Sequence, residues 1–134
     1  MKDRAVIDAS NMLRLKTPTQ RKPSVNIIYA VIDAVRASGR EPILVLDPAT
    51  LSTVADPENI ETLLAESFVL SVSAGTDVNR AVLETAERRD AIVVSNNTYS
   101  DYWAEYSWVE LCRLPVAIVD GDVCLLEQRF RNVS

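Results

Sequence analysis

Three stretches of this chain are continuously apolar, only three to five residues long, and run straight into a polar residue. Ala5-Val6-Ile7 ends on Asp8, Pro42 to Leu46 ends on Asp47, and Ala91 to Val94 ends on Ser95. Runs this short cannot span a bilayer and are too short to be stable helices. With no polar alternation, they read as strands buried on both faces, as in a parallel sheet. Between them the apolar period changes to that of a helix. Ser24 is a candidate N-cap for a helix from Val25 to about Ser38, with Ile27, Ile28, Val31, Ile32 and Val35 inward and Gly39 as its stop. Asp56-Pro57 opens a second helix to about Glu66, with Asp56 as its N-cap. Gly75-Thr76-Asp77 leads into a third, ending near Arg89, and a weaker strand runs from Phe68 to Val72. A short aromatic helix follows Asn97, and Asp120-Gly121-Asp122 is a hairpin signal between Pro115–Val119 and Val123–Leu126. This alternation predicts an α/β fold: a three-layer α/β/α sandwich with a central, mostly parallel sheet and right-handed crossovers. The 134 residues are expected to form one domain, 1–134.

The chain contains no histidine. Ser-His-Asp and Cys-His catalysis are therefore excluded, as are zinc sites built on imidazole. Cys112 and Cys124, with eleven residues between them, have no metal-type spacing and read as small buried apolar residues. No apolar signal-type segment opens the sequence and no apolar run approaches 18 residues, so a cytoplasmic location without a membrane span is expected. The net charge of −5 conceals an asymmetry. Eight Lys or Arg and three Asp fall within residues 1–40, against six basic and sixteen acidic residues in the remainder. A basic segment on an acidic body can attract a polyanion while carboxylates elsewhere hold a cation.

In parallel α/β sheets ligands bind beyond the carboxyl ends of the strands. Three such ends carry oxygen donors: Asp8 with Ser10 and Asn11, Thr76 with Asp77, and Asn96 with Asn97 and Asp101. Converging carboxylates and amides suit a hard cation, Mg²⁺ or Mn²⁺, which can neutralise a phosphodiester and activate water without histidine.

The stretch VIDASNMLR, Val6 to Arg14, resembles the opening motif of NYN domains, a branch of the PIN-like nucleases. The stretch AERRDAIVVSNNTYSDY, Ala86 to Tyr102, resembles the second hallmark of the CCCH zinc-finger ribonucleases (the Regnase type) and their prokaryotic relatives: a helix, a strand, and an S-N-D-x-x-x-D segment. The resemblance implies a PIN-like sandwich, an acidic Mg²⁺ or Mn²⁺ site and endonucleolytic hydrolysis of single-stranded RNA. It matches Asp8 to the first metal-binding aspartate, Asn11 to its supporting asparagine, and Asp101 to the later acid. Two positions depart. Asn97 stands where the family has an aspartate, and a gapless match puts Asn79 at another acidic position, with Asp77 two residues earlier as a substitute. On this reading Asp8, Asp77 and Asp101 bind metal, Asn97 is a weak ligand or substrate contact, and metal-dependent cleavage is expected. A catalytically silent module that binds RNA or a protein is the alternative.

Arg14, Lys16, Arg21 and Lys22 follow the first strand directly and, with Ser10, are candidate phosphate contacts beside Asp8. Five of the eight aromatic residues, Tyr99, Tyr102, Trp103, Tyr106 and Trp108, lie within ten positions. Their i,i+4 pairs suit helix packing or an interface with a second copy or another protein, and their rings also suit stacking of unpaired bases.

Overall fold

The first apolar run makes the central strand. In the computed structural model, which describes residues 2–15 and 22–127, β1 (Arg4–Asp8) pairs in parallel with β2 (Glu41–Leu46) on one side and β4 (Ile92–Val94) on the other. β3 (Val69–Ser71) extends the sheet beyond β2, and β5 (Arg113–Leu114) extends it beyond β4. The order is β3-β2-β1-β4-β5, all parallel. Register alignment puts Val69, Leu44, Ile7, Val94 and Leu114 in one row across the sheet. This row faces α2 (Val25–Ala37), α3 (Ile60–Leu64) and the first helical turn, α1 (Ala9–Met12). One step back, Val6, Ile43 and Val93 point the other way, into a second core with α4 (Val78–Arg89) and the aromatic segment. The strand period of two thus builds both outer layers at once. β1 contributes to both cores, and Ala5, Val6 and Ile7 are completely buried. The three-layer architecture expected from the apolar runs is the one observed.

The helix boundaries follow local chemistry. Ser24 caps α2, its Oγ accepting the Asn26 N–H, and Gly39, at φ +85°, turns the chain out of it. Asp77 caps α4, accepting the Arg80 N–H at 3.2 Å. The hairpin is separate from the main sheet: β6 (Val116–Val119) and β7 (Asp122–Leu125) are antiparallel across Asp120-Gly121, both at positive φ, as a two-residue turn of the mirror-image type requires.

Several details differ from the sequence reading or add to it. Ala9 to Met12 is a helical turn rather than an irregular break, because the Asp8 side chain caps it by accepting the Asn11 N–H. Residues Pro48–Thr53 form a 3₁₀ segment capped by Asp47. The helix expected from Pro57 begins as a 3₁₀ turn, Pro57–Asn59, and only Ile60–Leu64 is α-helical. Asp56 is its N-cap through the main chain, its carbonyl accepting the Asn59 N–H at 3.1 Å, but its carboxylate takes no backbone N–H of this turn. Its carboxylate instead accepts from Ser24 Oγ (2.9 Å), the Val25 N–H (2.9 Å) and Asn59 Nδ2 (3.2 Å), so it stabilises the start of α2 from 31 residues away. The segment after Asn97 forms a 3₁₀ turn, Ser100–Tyr102, followed by further turns in place of a regular helix. No helix among the described residues is long and apolar enough to cross a membrane.

Burial opposes the Asp56 charge, but the three hydrogen bonds outweigh it and hold the carboxyl below its ordinary value of 3.8. A lowered folded pKa gives stability that is present above the unfolded value and lost as the pH falls through the folded one. Asp56→Asn is expected to cost about 2 kcal/mol at pH 7, by weakening charge-assisted bonds to a helix start. The gap in denaturant midpoint between variant and parent should close as the pH falls below about 4. A gap independent of pH would contradict this account.

Candidate functional site

The chain leaves β1 toward β2 on one side and returns through α4 to β4 on the other, so strand order reverses between β1 and β4. Such a reversal opens a crevice beyond the carboxyl ends of the two strands. Asp8 ends β1 at this point. It shares the parity of Val6, so its side chain leaves on the α4 face, and it is only 2% exposed.

A buried carboxylate needs donors, and the loop after β4 supplies them. Asp8 Oδ2 accepts from Tyr99 OH at 2.6 Å and from Ser95 Oγ at 3.2 Å, while Oδ1 accepts the Asn11 N–H at 3.3 Å. Burial, followed by the Asp8 charge and hydrogen bond, pushes the Tyr99 phenol far above its ordinary range, which keeps it a proton donor; Ser95 and then the Arg113 guanidinium oppose. Arg113 also donates to the Ser95 carbonyl at 3.1 Å. Tyr99 is held in the left-handed region, φ +55° and ψ +33°, where a residue with a side chain is disfavoured. Asn97 fixes it there: its Oδ1 accepts the Tyr99 N–H at 3.0 Å, and its own N–H donates to Ser95 Oγ at 3.1 Å.

The other asparagines bind the edge together. Asn11 Oδ1 accepts the Asn96 N–H at 2.8 Å, which ties α1 to the loop after β4. The Asn96 amide pairs with both main-chain groups of Val116, donating to its oxygen at 2.9 Å and accepting its N–H at 2.7 Å. Asn97 Nδ2 donates to Asn79 Oδ1 at 3.2 Å, which ties the loop to the first turn of α4. Ser10 Oγ is buried with no hydrogen-bond partner among the described residues.

The remaining sequence candidates are placed differently. Asp77 is exposed and already engaged: besides capping α4 it accepts from Tyr102 OH at 2.7 Å, and this bond, aided by the Arg80 N–H and charge, lowers its pKa. Arg80 lies 5.5 Å from the Tyr102 ring and makes a forked ion pair with Glu105 at 2.6 and 2.9 Å. Asp101 is exposed on the 3₁₀ turn. Among the described residues no three acidic or thiol side chains gather closely enough to hold a metal ion, so Asp8, Asp77 and Asp101 do not form a ligand group of that kind. Arg14 and Lys22 are exposed, whereas Lys16 and Arg21 lie outside the described residues.

The five aromatics divide. Tyr99 and Tyr106 belong to the core. Tyr102 and Trp108 are half-buried, with polar tips on Asp77 and Glu87. Trp103 is 40% exposed, and its indole N–H donates to the Thr98 carbonyl at 2.9 Å, on the loop that holds Asp8. Sequence reasoning missed Ser95 and Arg113 and treated Tyr99 only as an aromatic. The available signal for Ser95 was its position directly after an apolar strand at the switch point.

The donor set can be tested against the cation implied by carboxylates at strand ends. Mg²⁺ keeps several waters and commonly takes one or two protein carboxylates together with substrate phosphate. A carboxylate has about four lone-pair sites, and three on Asp8 are used, which leaves one on Oδ1. Asp8 therefore fits a cation completed by substrate, and the site does not fit a resident ion caged by several acids.

Comparison with known proteins agrees with this architecture. Two structures of the nuclear protein-only RNase P 2 from Arabidopsis thaliana superpose over 93% of this chain, with TM-scores of 0.72 and 0.67 at 19% and 16% identity. They share its fold, and the matched region is 30% of the length of those chains. No curated protein sequence matches. The family model described as the Zc3h12a-like ribonuclease NYN domain matches residues 1–125, and the chain belongs to that family.

Proposed function

We propose that this NYN domain is an endoribonuclease acting on single-stranded RNA at the β1/β4 crevice, assisted by Mg²⁺ or Mn²⁺ and centred on Asp8. The observation that carries the reading is the Asp8 carboxylate itself, buried at the switch point and oriented by three hydrogen bonds that leave one lone-pair site on Oδ1 unused. Preorganised charge in a partly dry crevice needs no reorganisation when a phosphodiester arrives. Ser95, Tyr99 and the Asn11 N–H position the carboxylate. Asp101, Asp77 and Asn97 lie on neighbouring segments of this carboxyl edge, where they can contact the substrate or its hydration. Arg14 and Lys22, with Lys16 and Arg21 between them in sequence, offset phosphate charge, and Ser10 and Asn11 lie beside the first strand's end. A divalent cation, when bound, would neutralise the phosphodiester and supply the activation of water that no side chain here provides. Trp103 favours single strands, because only unpaired bases can stack on an exposed indole.

A second reading, RNA binding without turnover, is favoured by one observation: Asn79 and Asn97 hydrogen-bond to each other at positions where the resemblance to the family calls for acids. One assay separates the two. With labelled single-stranded RNA and Mn²⁺, the parent protein should cleave and Asp8→Asn should fall to background while still binding. Equal cleavage by both proteins would refute the nuclease reading, and binding without cleavage by either would support the second.

Trp103→Ala should weaken single-stranded RNA binding by about tenfold, within the range of roughly 1–3 kcal/mol seen for loss of one stacked base. Its thermal midpoint should move little, since the ring is largely outside the core. Unchanged affinity would remove Trp103 from the RNA surface.

A further inference from the structure

The two amides at the departing positions leave almost no polar atom of Asn97 idle. Nδ2 donates to Asn79 Oδ1 at 3.2 Å, Oδ1 accepts from Tyr99, and the main-chain N–H reaches Ser95 Oγ. Through Ser95 and Tyr99 the same network ends on both donors to Asp8 Oδ2. The geometry of Asp8 therefore depends on what holds residue 97 against residue 79. Two carboxylates at such a separation repel, and they coexist only with a cation or a shared proton between them. Two amides need neither, because one donates and the other accepts.

We infer that the Asn79–Asn97 hydrogen bond replaces a bridging divalent cation in this protein. The edge is fully assembled without metal, and a cation enters only with RNA phosphate. The first part rests on the amide geometry at the two positions where the family resemblance calls for acids; the second rests on the RNA reading given above. The strained Tyr99 backbone supports the first part, because a residue at φ +55° must be held by its surroundings, and the Asn97 side chain supplies that hold.

The test compares the parent with the double variant Asn79→Asp/Asn97→Asp, by thermal melting in EDTA and in Mn²⁺ and by Mn²⁺ electron paramagnetic resonance. The parent should melt at one temperature in both conditions. The double variant should melt lower in EDTA, recover with Mn²⁺, and bind Mn²⁺ at least tenfold more tightly than the parent. Mn²⁺ uptake by the parent should become measurable when a non-cleavable single-stranded oligonucleotide is added. A parent melting point that rises with Mn²⁺ as far as the variant's does, or parent uptake of Mn²⁺ without oligonucleotide at the variant's affinity, would overturn the inference. Metal-indifferent melting with no oligonucleotide binding would uphold the amide pair and refute the RNA reading alone. If the double variant fails to fold even in Mn²⁺, the parent's two measurements decide the matter.

Discussion

The carboxyl edge of this protein is organised around one buried carboxylate. Asp8 sits at the end of the innermost strand, where it is almost wholly buried and no ion pair among the described residues neutralises it. Such a group is tolerable only when fully supplied with donors. The consequences spread outward from that requirement. α1 must begin immediately, so that an N–H faces Oδ1. The loop after β4 must turn back sharply enough to deliver two hydroxyls, and Tyr99 adopts the left-handed region to do so. Asn97 must then clamp that turn.

Asparagine does most of the joining. Asn11, Asn79, Asn96 and Asn97 connect α1, α4, the loop after β4 and the hairpin through side-chain amides. An amide carries a donor and an acceptor on one short side chain, so it can satisfy backbone and side-chain groups together without adding charge. Around a buried anion this matters, since every further carboxylate would raise the local negative potential. The arrangement favours order in the absence of counter-ions over affinity for them.

The layers of the fold were legible because they depend on periodicity. Uniform apolarity in Ala5–Ile7, Ile43–Leu46 and Ala91–Val94 announced strands covered on both faces, and the spacing of Ile28, Val31, Ile32 and Val35 announced α2. The placement of Asp8 at the carboxyl edge followed from the same pattern. What sequence could not supply was partnership across the fold. Asp56 read as a local cap because Pro57 follows it, and it does bond Asn59 locally, but its carboxylate also runs to Ser24 and Val25, which no local pattern announced. Asp77, Asp101 and Asp8 read as one group because each lies in a segment after a strand, but sequence could not announce their partners: Asp8 is buried among hydroxyls and Asp77 accepts from Tyr102. Tyr99 looked like an ordinary member of an aromatic cluster, and only its backbone conformation and the position of its hydroxyl set it apart. Periodicity reports which way a side chain faces, and it carries no information about which distant atom it meets.

The pairing of Asn96 with both main-chain groups of Val116 has a further implication. Here a side chain takes the place of the next strand's backbone, so the β6–β7 hairpin is attached to the sheet without being hydrogen-bonded into its ladder. An attachment of this kind is modular. The hairpin turn could be lengthened or exchanged over evolutionary time with little effect on the register of the five parallel strands, provided Val116 still presents its amide and carbonyl and Val123 and Leu125 still cover the α2 side. Because Asn96 is also bonded to Asn11, the hairpin is joined to the edge at the same point that holds Asp8, which makes it the natural place for the fold to acquire new recognition elements beside an unaltered centre.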